Sequence, residues 1–171
     1  MKSRLFLALP AILDNYDAIK KDFAETVEGR WIPPENLHLT LSFFGATDDV
    51  QALAEKLASM RLDVTPSTIR GLGCFAKKKI LYATVENPSL EALYKEVNTF
   101  FGLPVKEVFV GHVTLMRYKK IVDAERFYNQ IELYGERRIG ALGTNPVLLQ
   151  STLHAEGARY SLIKEFKDDH Q

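Results

Sequence analysis

Alternation of apolar and polar residues is clearest in residues 36–44, which read NLHLTLSFF. Such alternation predicts a half-buried strand, because successive side chains of a strand point to opposite faces. His38 and Thr40 should therefore share one face. The opposite, buried face should carry the apolar residues Leu37, Leu39, Leu41 and Phe43.

The same pattern recurs in residues 111–116, which read GHVTLM. Here His112 and Thr114 should share a face, and the apolar Val113 and Leu115 should take the other. Each of the two strands is thus expected to bury an apolar face and to present a histidine and a threonine on the opposite one.

Strands and helices are predicted to alternate along the rest of the chain. Further strands are expected at 4–9, where Pro10 ends the strand, and at 64–72, 80–86, 108–118, 137–142, 146–153 and 158–166. Apolar residues at helical spacing predict helices at 11–27, 49–60, 87–101 and 123–133. Gly29 should end the first helix, 30–35 should be a stiff connection with two prolines, and 71–79 should be a loop with a basic tip.

The predicted elements repeat. Strand, helix, histidine-threonine strand, helix and strand follow one another in 4–72 and again in 80–142, with closing strands to 166. We therefore expect a single bilobal domain, 1–171, with an internal duplication. The fold class should be α+β, with two lobes related by a pseudo-two-fold axis, antiparallel sheets lining a central cleft and helices outside.

Charge and composition narrow the function. The 22 basic residues balance the 22 acidic ones, which argues against a broad, sequence-blind nucleic-acid binder. The apolar run at 4–10 is too short for a signal peptide and is followed by charged residues, and no stretch is long enough for a membrane span. The single cysteine, Cys74, cannot form an internal disulfide, so we expect a cytoplasmic protein.

Two histidines that face each other across a cleft suit acid–base chemistry at phosphorus. Imidazole has an ordinary pKa near 6.5, so one ring can accept a proton while the other donates one. The hydroxyls of Thr40 and Thr114 can donate hydrogen bonds to non-bridging phosphate oxygens. A zinc site is disfavoured, because neither half of the sequence supplies a cysteine, a second histidine at ligand spacing or a carboxylate on the same strand face.

The chain resembles the two-histidine phosphoesterases, and within them the RNA 2′,3′-cyclic phosphodiesterases, also called 2′-5′ RNA ligases. The resemblance covers nearly the whole chain. It lies in the segments 4–10 (RLFLALP), 30–41 (RWIPPENLHLTL), Phe44-Gly45, 112–117 (HVTLMR), 149–153 (LQSTL) and 157–160 (GARY).

This resemblance implies hydrolysis of an RNA 2′,3′-cyclic phosphate to a 2′-phosphomonoester without a metal or other cofactor. It further implies that His38 is the general acid and His112 the general base. We expect the partners to be RNA ends or small nucleotides that bear a cyclic phosphate, with no membrane and no obligate protein partner, and we expect a monomer. Two alternatives stay open: action on another cyclic or 2′-5′-linked nucleotide, including ligation, and an RNA-end-binding module without catalysis.

Other residues have two interpretations each. Arg117 could bind the phosphate or form a structural ion pair, and strict alternation places it opposite His112 unless a bulge intervenes. The basic run 77–79 replaces the arginine-rich segment of the family and is either an RNA contact or a solvated tip. Three aromatic residues could stack a base or simply pack, namely Trp31, Phe44 and Tyr118. His154, His170 and Cys74 are assigned no role.

Overall fold

Nine strands and four helices alternate along residues 4–167, which are the residues that the computed structural model describes. The strands are β1 (Arg4–Leu13), β2 (Val27–Trp31), β3 (His38–Ala46), β4 (Thr68–Phe75), β5 (Ile80–Val85), β6 (His112–Ile121), β7 (Arg138–Leu142), β8 (Val147–His154) and β9 (Gly157–Glu165). The helices are α1 (Tyr16–Phe23), α2 (Val50–Ala58), α3 (Pro88–Phe100) and α4 (Ala124–Tyr134). The α+β prediction is confirmed; the predicted polar tail, with His170, lies outside the described residues.

The strands form two sheets that share β1, and every pairing is antiparallel. The first sheet has the order β3-β1-β8-β9 and uses residues 4–10 of β1. The second sheet has the order β2-β6-β5-β4-β7-β1 and uses residues 11–13 of β1. Because one strand passes from the first sheet into the second, the two sheets are joined directly through the backbone.

A single large apolar core lies between the sheets and the helices. Helix α3 packs against β3, α4 packs against β4, and α1 packs against α4. Among the fully buried side chains are Phe23, Phe127, Leu7, Leu9, Leu39, Leu90 and Leu115. No helix among residues 4–167 has both the length and the apolar character needed to cross a bilayer.

The first predicted helix is shorter than expected. Pro10 does not end β1, since the strand continues to Leu13 with a new partner, β7. Residues 27–31 then form β2, so Gly29 is part of a strand. A Cβ at Gly29 would lie 2.4 Å from the carbonyl oxygen of Arg117. The glycine therefore permits a close approach of β2 to β6.

The other predicted helices are confirmed, and each has a side-chain N-cap. The carboxylate of Asp49 accepts a hydrogen bond from the N–H of Ala52, and the side chains of Asn87 and Asp123 cap α3 and α4 in the same way. The loop predicted at 71–79 is shorter than expected, because β4 extends to Phe75 and only 76–79 form the turn.

Candidate active site

His38 and His112 begin β3 and β6, and each ring is held by its own strand. The Nδ1–H of His38 donates to the carbonyl of Asn36 at 2.7 Å, and the Nδ1–H of His112 donates to the carbonyl of Val110 at 2.8 Å. A carbonyl can only accept, so Nδ1 carries the proton in both rings. Each Nε2 is thus left with the lone pair in the neutral ring, and it is the atom free to exchange a proton.

Two aromatic rings support each imidazole. His38 lies 5.1 Å from the ring centre of Phe6 and 5.3 Å from that of Tyr160. His112 lies 5.0 Å from Phe75 and 5.6 Å from Tyr82. These contacts restrict how each ring can turn about its side-chain bonds.

Gly73 makes room for one of these rings. A Cβ at Gly73 would lie 2.5 Å from the hydroxyl oxygen of Tyr82. The absence of a side chain on this residue of β4 lets Tyr82 lie flat on Phe75, with ring centres 4.3 Å apart, and reach His112.

Burial lowers the pKa of both histidines below the ordinary value, because the charged imidazolium loses solvation. The carbonyls of Asn36 and Val110 oppose this effect. Positive charge nearby lowers the pKa further: His112 and Arg117 act on His38, whereas two lysines, Lys78 and Lys106, act on His112. The two rings are therefore close enough to influence each other, and β3 and β6 are in contact.

Thr40 and Thr114 lie on the same strand faces as the histidines, and both are half-buried. Neither hydroxyl bonds to a protein group among the described residues. These faces of β3 and β6, which carry the two histidines and two threonines, are called the site face below. The structure thus places each histidine on the same face of its strand as its threonine, as the alternation predicted.

A bulge follows the threonine in each of the two strands. Ala8 pairs with Thr40 and Leu7 with Ser42, so Leu41 is the extra residue of β3. In β6, Thr114 and Met116 pair with consecutive residues of β5, so Leu115 is the extra residue. The six residues that begin with each histidine share one burial pattern, in which the fourth and fifth are both buried and the sixth is exposed.

The bulges bring Phe43 and Arg117 to the site face. Phe43, predicted on the buried face, pairs with Phe6 and is 69% exposed, so that prediction is wrong. Arg117 pairs with Ile80 on the same face of β5 as Tyr82, and therefore lies on the face of His112 and not opposite it. Simple alternation failed at both positions because each bulge inserts one residue and exchanges the faces of those that follow.

The three aromatic residues considered for base stacking lie elsewhere. Trp31 pairs with the buried Met116 and packs on Tyr16, and Phe44 packs on Phe101. The hydroxyl of Tyr118 lies 3.2 Å from the sulfur of Cys74. All three therefore pack within the fold. In the turn 76–79, the Nζ of Lys78 lies 5.9 Å from the ring centre of Phe75, beside His112.

The remaining polar features lie away from the histidines. A cavity of about 410 Å³ is lined by residues of α1, α4 and β7, and its charged groups include the ion pair Asp14–Arg138. The exposed His154 ends β8, and its Nε2 lies 3.1 Å from the hydroxyl of Thr152. Within residues 4–167, no three histidine, cysteine or acidic side chains come together as a metal site would require.

Two contacting strands, each with a histidine whose Nε2 is left free and a threonine on the same face, are the arrangement expected of two-histidine phosphoesterases, and comparison with known proteins agrees. The family model described as LigT-like phosphoesterase matches residues 8–82. A Thermotoga maritima protein named RNA 2′,3′-cyclic phosphodiesterase is 32% identical over 140 residues, which cover 70% of this chain and 72% of the relative. An Aquifex aeolicus protein of the same name is 29% identical over 94% of this chain and 93% of the relative. The chain belongs to the LigT-like phosphoesterase family.

Solved structures agree on the fold. The crystal structure of Escherichia coli LigT complexed with 3′-AMP has a TM-score of 0.68 at 21% identity, over 96% of this chain and 97% of that one. A second crystal structure, described as a phosphoesterase, has a TM-score of 0.69, also at 21% identity. The overall fold is therefore shared over nearly the whole length of these chains.

Proposed function

We propose that this protein hydrolyses RNA 2′,3′-cyclic phosphate ends to 2′-phosphomonoesters, with His38 as general acid and His112 as general base and with no metal ion. The observation that carries the proposal is the matched pair of Nδ1–carbonyl hydrogen bonds. They leave two identical proton-exchanging atoms on one site face. The names of the Thermotoga and Aquifex relatives supply the substrate class.

In this mechanism, Nε2 of His112 removes a proton from water as the water oxygen bonds to phosphorus. The bond between phosphorus and O3′ breaks, and Nε2–H of His38 delivers a proton to O3′. The atoms balance: water adds across one ester bond, and the phosphate stays on O2′. Two histidines suit this displacement, because the entering and leaving oxygens each need a separate proton-transfer group.

His38 must be protonated to act as the acid, although burial and nearby cations lower its pKa in the free protein. The bound phosphate carries a negative charge, which favours the imidazolium. Substrate binding therefore favours protonation of His38, while a neutral His112 remains available as base.

The neighbouring groups of the site face would bind the substrate. The hydroxyls of Thr40 and Thr114 would donate to the non-bridging oxygens, where charge increases in the transition state. Arg117 would supply positive charge to the same phosphate. The exposed ring of Phe43 offers a surface on which the terminal base can stack.

The test is hydrolysis of a short oligoribonucleotide that ends in a 2′,3′-cyclic phosphate, in the presence of EDTA, with assignment of the product phosphate. We expect a 2′-phosphate. Changing either histidine, as in His38→Ala or His112→Ala, should lower the rate by about two to four orders of magnitude. His154→Ala serves as the matched control, because this exposed histidine lies at the end of β8, away from the site face.

Other outcomes would redirect or overturn the proposal. Full activity of both histidine variants would exclude the mechanism, and loss of activity in EDTA would exclude its metal independence. A 3′-phosphate product would reverse which oxygen the acid serves. Turnover of only a 2′-5′-linked dinucleotide would change the substrate class, whereas tight binding without turnover between pH 5 and 9 would indicate an RNA-end-binding module. We also propose a cytoplasmic location, with which the single cysteine agrees, and a monomer.

A further inference from the structure

Asn98 of α3 is one of few buried polar side chains, with only 4% of its surface exposed. Its Nδ2 donates to the carbonyl of Leu41 at 3.1 Å and to that of Tyr94 at 2.7 Å. An amide nitrogen carries two hydrogens, so both are used. Leu41 is the extra residue of the β3 bulge. The side chain of Asn98 therefore ties the helix to the point where β3 changes its register.

The corresponding bulge of β6 is held differently. The carbonyl of Leu115 accepts from the backbone N–H of Ile32 at 2.7 Å, and the hydroxyl of Tyr16 lies 3.1 Å away. This backbone donor is available because β2 runs beside β6. β3 is an edge strand of the first sheet and pairs with β1 alone among the described strands. The side chain of Asn98 thus donates to the bulge carbonyl of β3, as the backbone N–H of Ile32 donates to the bulge carbonyl of β6.

The bulge decides which side chain reaches the site face. With it, the buried residue after Leu41 is Ser42 and the exposed residue is Phe43. Without it, regular alternation would turn Ser42 to the site face and Phe43 toward the core. A carbonyl left without its donor in the core is costly, so loss of the Asn98 amide favours a change of register.

We propose that Asn98 is a positioning residue, which holds the β3 bulge and thereby keeps Phe43 on the site face. The effect on turnover rests on the proposed function, whereas the effect on the position of Phe43 does not. Asn98 touches neither the histidines nor the threonines. Its loss should therefore weaken substrate binding more than it slows the chemical step.

The test compares Asn98→Leu with the neighbouring core variant Val97→Ala, at a temperature where both are fully folded. Phe43→Ala should raise KM for the cyclic-phosphate oligonucleotide about tenfold, the usual effect of removing a stacked aromatic ring. Asn98→Leu should raise KM by about the same factor with kcat changed less than about threefold. In the Phe43→Ala background, it should add no more than about a twofold change, because both substitutions act through the same side chain.

A crystal structure of Asn98→Leu supplies a readout that does not depend on activity. We expect Phe43 to leave the site face, whereas in Val97→Ala it should stay. An unchanged bulge, additive effects of the two substitutions, or the same KM increase in Val97→Ala would overturn the proposal. If wild-type protein showed no turnover, the proposed function would fail while the position of Phe43 would still decide this inference. Should Asn98→Leu not fold, Asn98→Ala, which removes the amide without adding bulk, is measured in the same way.

Discussion

His38 and His112 make the same backbone hydrogen bond but lie in different electrostatic surroundings. His38 lies near Arg117 and the other histidine, whereas His112 lies near Lys78 and Lys106. Burial is the largest effect on the pKa of both rings, and it favours the neutral form. The free protein therefore holds two neutral imidazoles at neutral pH, and protonation of one ring disfavours protonation of the other.

The pH dependence of kcat/KM follows from these pKa directions. The active form needs one protonated and one neutral ring, so its population is greatest between two pKa values that both lie below the ordinary 6.5. We expect a bell-shaped profile with its maximum below about pH 6.5. Measuring initial rates at low substrate concentration from pH 4.5 to 9 checks this, and a maximum well above pH 7 would contradict it.

A single lysine should move this profile. Lys78→Gln removes a positive charge that lowers the pKa of His112, so the profile should shift to higher pH. Lys77→Gln is the matched control, since it removes the same charge from the same turn but does not act on His112. Equal shifts in the two variants would show that the effect reflects net charge and not this contact.

At the scale of the element, the bulges of β3 and β6 are the features that shape the site. Each places two buried residues in succession and returns the next one to the site face. They put an aromatic ring on one strand and a guanidinium on the other at corresponding positions. The two strands thus share a backbone arrangement but present different side chains at the corresponding position. An aromatic ring on one and a positive charge on the other suit a substrate that has both a base and a phosphate.

Close packing of β2 on β6 should be sensitive to a single methyl group. Gly29→Ala would place a Cβ against the backbone at Arg117 and Tyr118, and such overpacking costs about 1–3 kcal/mol of unfolding free energy. Because the displaced backbone carries Arg117, activity should fall as well. Gly143→Ala is the control, since its Cβ would meet nothing closer than 3.5 Å. Denaturant unfolding of both variants checks the prediction, and equal stability would contradict it.

Much of this arrangement could be predicted from the sequence, because it depends on local patterns. Apolar residues at helical spacing predict α2, α3 and α4, and both histidine-threonine strands alternate regularly as far as the threonine. The bulges were harder to detect. In β6, the adjacent apolar residues Leu115 and Met116 indicate a bulge. In β3, the corresponding second residue is Ser42, which is polar although it is buried, so the sequence does not indicate the bulge.

Long-range features were not predictable in this way. The passage of β1 from one sheet to the other at Pro10 depends on pairing with residues 127 to 147 positions later in the chain. β2 was not predicted, since Val27 was placed in a helix and residues 30–31 in a connection, because the strand is defined by its pairing with the distant β6. The bond from Asn98 to Leu41 joins two distant elements, so no local pattern contains it.

At the scale of the whole molecule, β1 makes the two sheets one structural unit. Its residues pair with β3 and β8 on one side of Pro10 and with β7 on the other. The order of strands and helices is also the same in the two halves, 4–75 and 80–142, apart from the insertion of β2. This order agrees with an internal duplication, which remains a prediction.

The shared strand predicts that the sheets unfold together. Leu9 is fully buried in the part of β1 that belongs to the first sheet, and Leu9→Ala should cost about 2–5 kcal/mol. Trp31, the only tryptophan, lies in the second sheet and reports on that sheet by fluorescence. We expect its transition to coincide with that of circular dichroism and to move with it in the variant.

The control for this prediction is Ile12→Ala in the same strand, because Ile12 is 73% exposed and its truncation should change stability little. Separate transitions for Trp31 fluorescence and circular dichroism would show that the sheets unfold independently.

The bond from each imidazole to a carbonyl two residues earlier makes ring orientation a property of a short peptide segment. Which nitrogen carries the proton in the neutral ring is decided within three residues, and the aromatic rings packed on each imidazole restrict its rotation further. A substitution outside this segment and outside the aromatic contacts can change the distance between the rings or their pKa, but it leaves each Nδ1–carbonyl hydrogen bond in place. Variants with reduced activity should therefore fall into two groups. In one, the distance between the two imidazoles changes, which structure determination detects. In the other, the pKa of a histidine changes, which a pH profile detects.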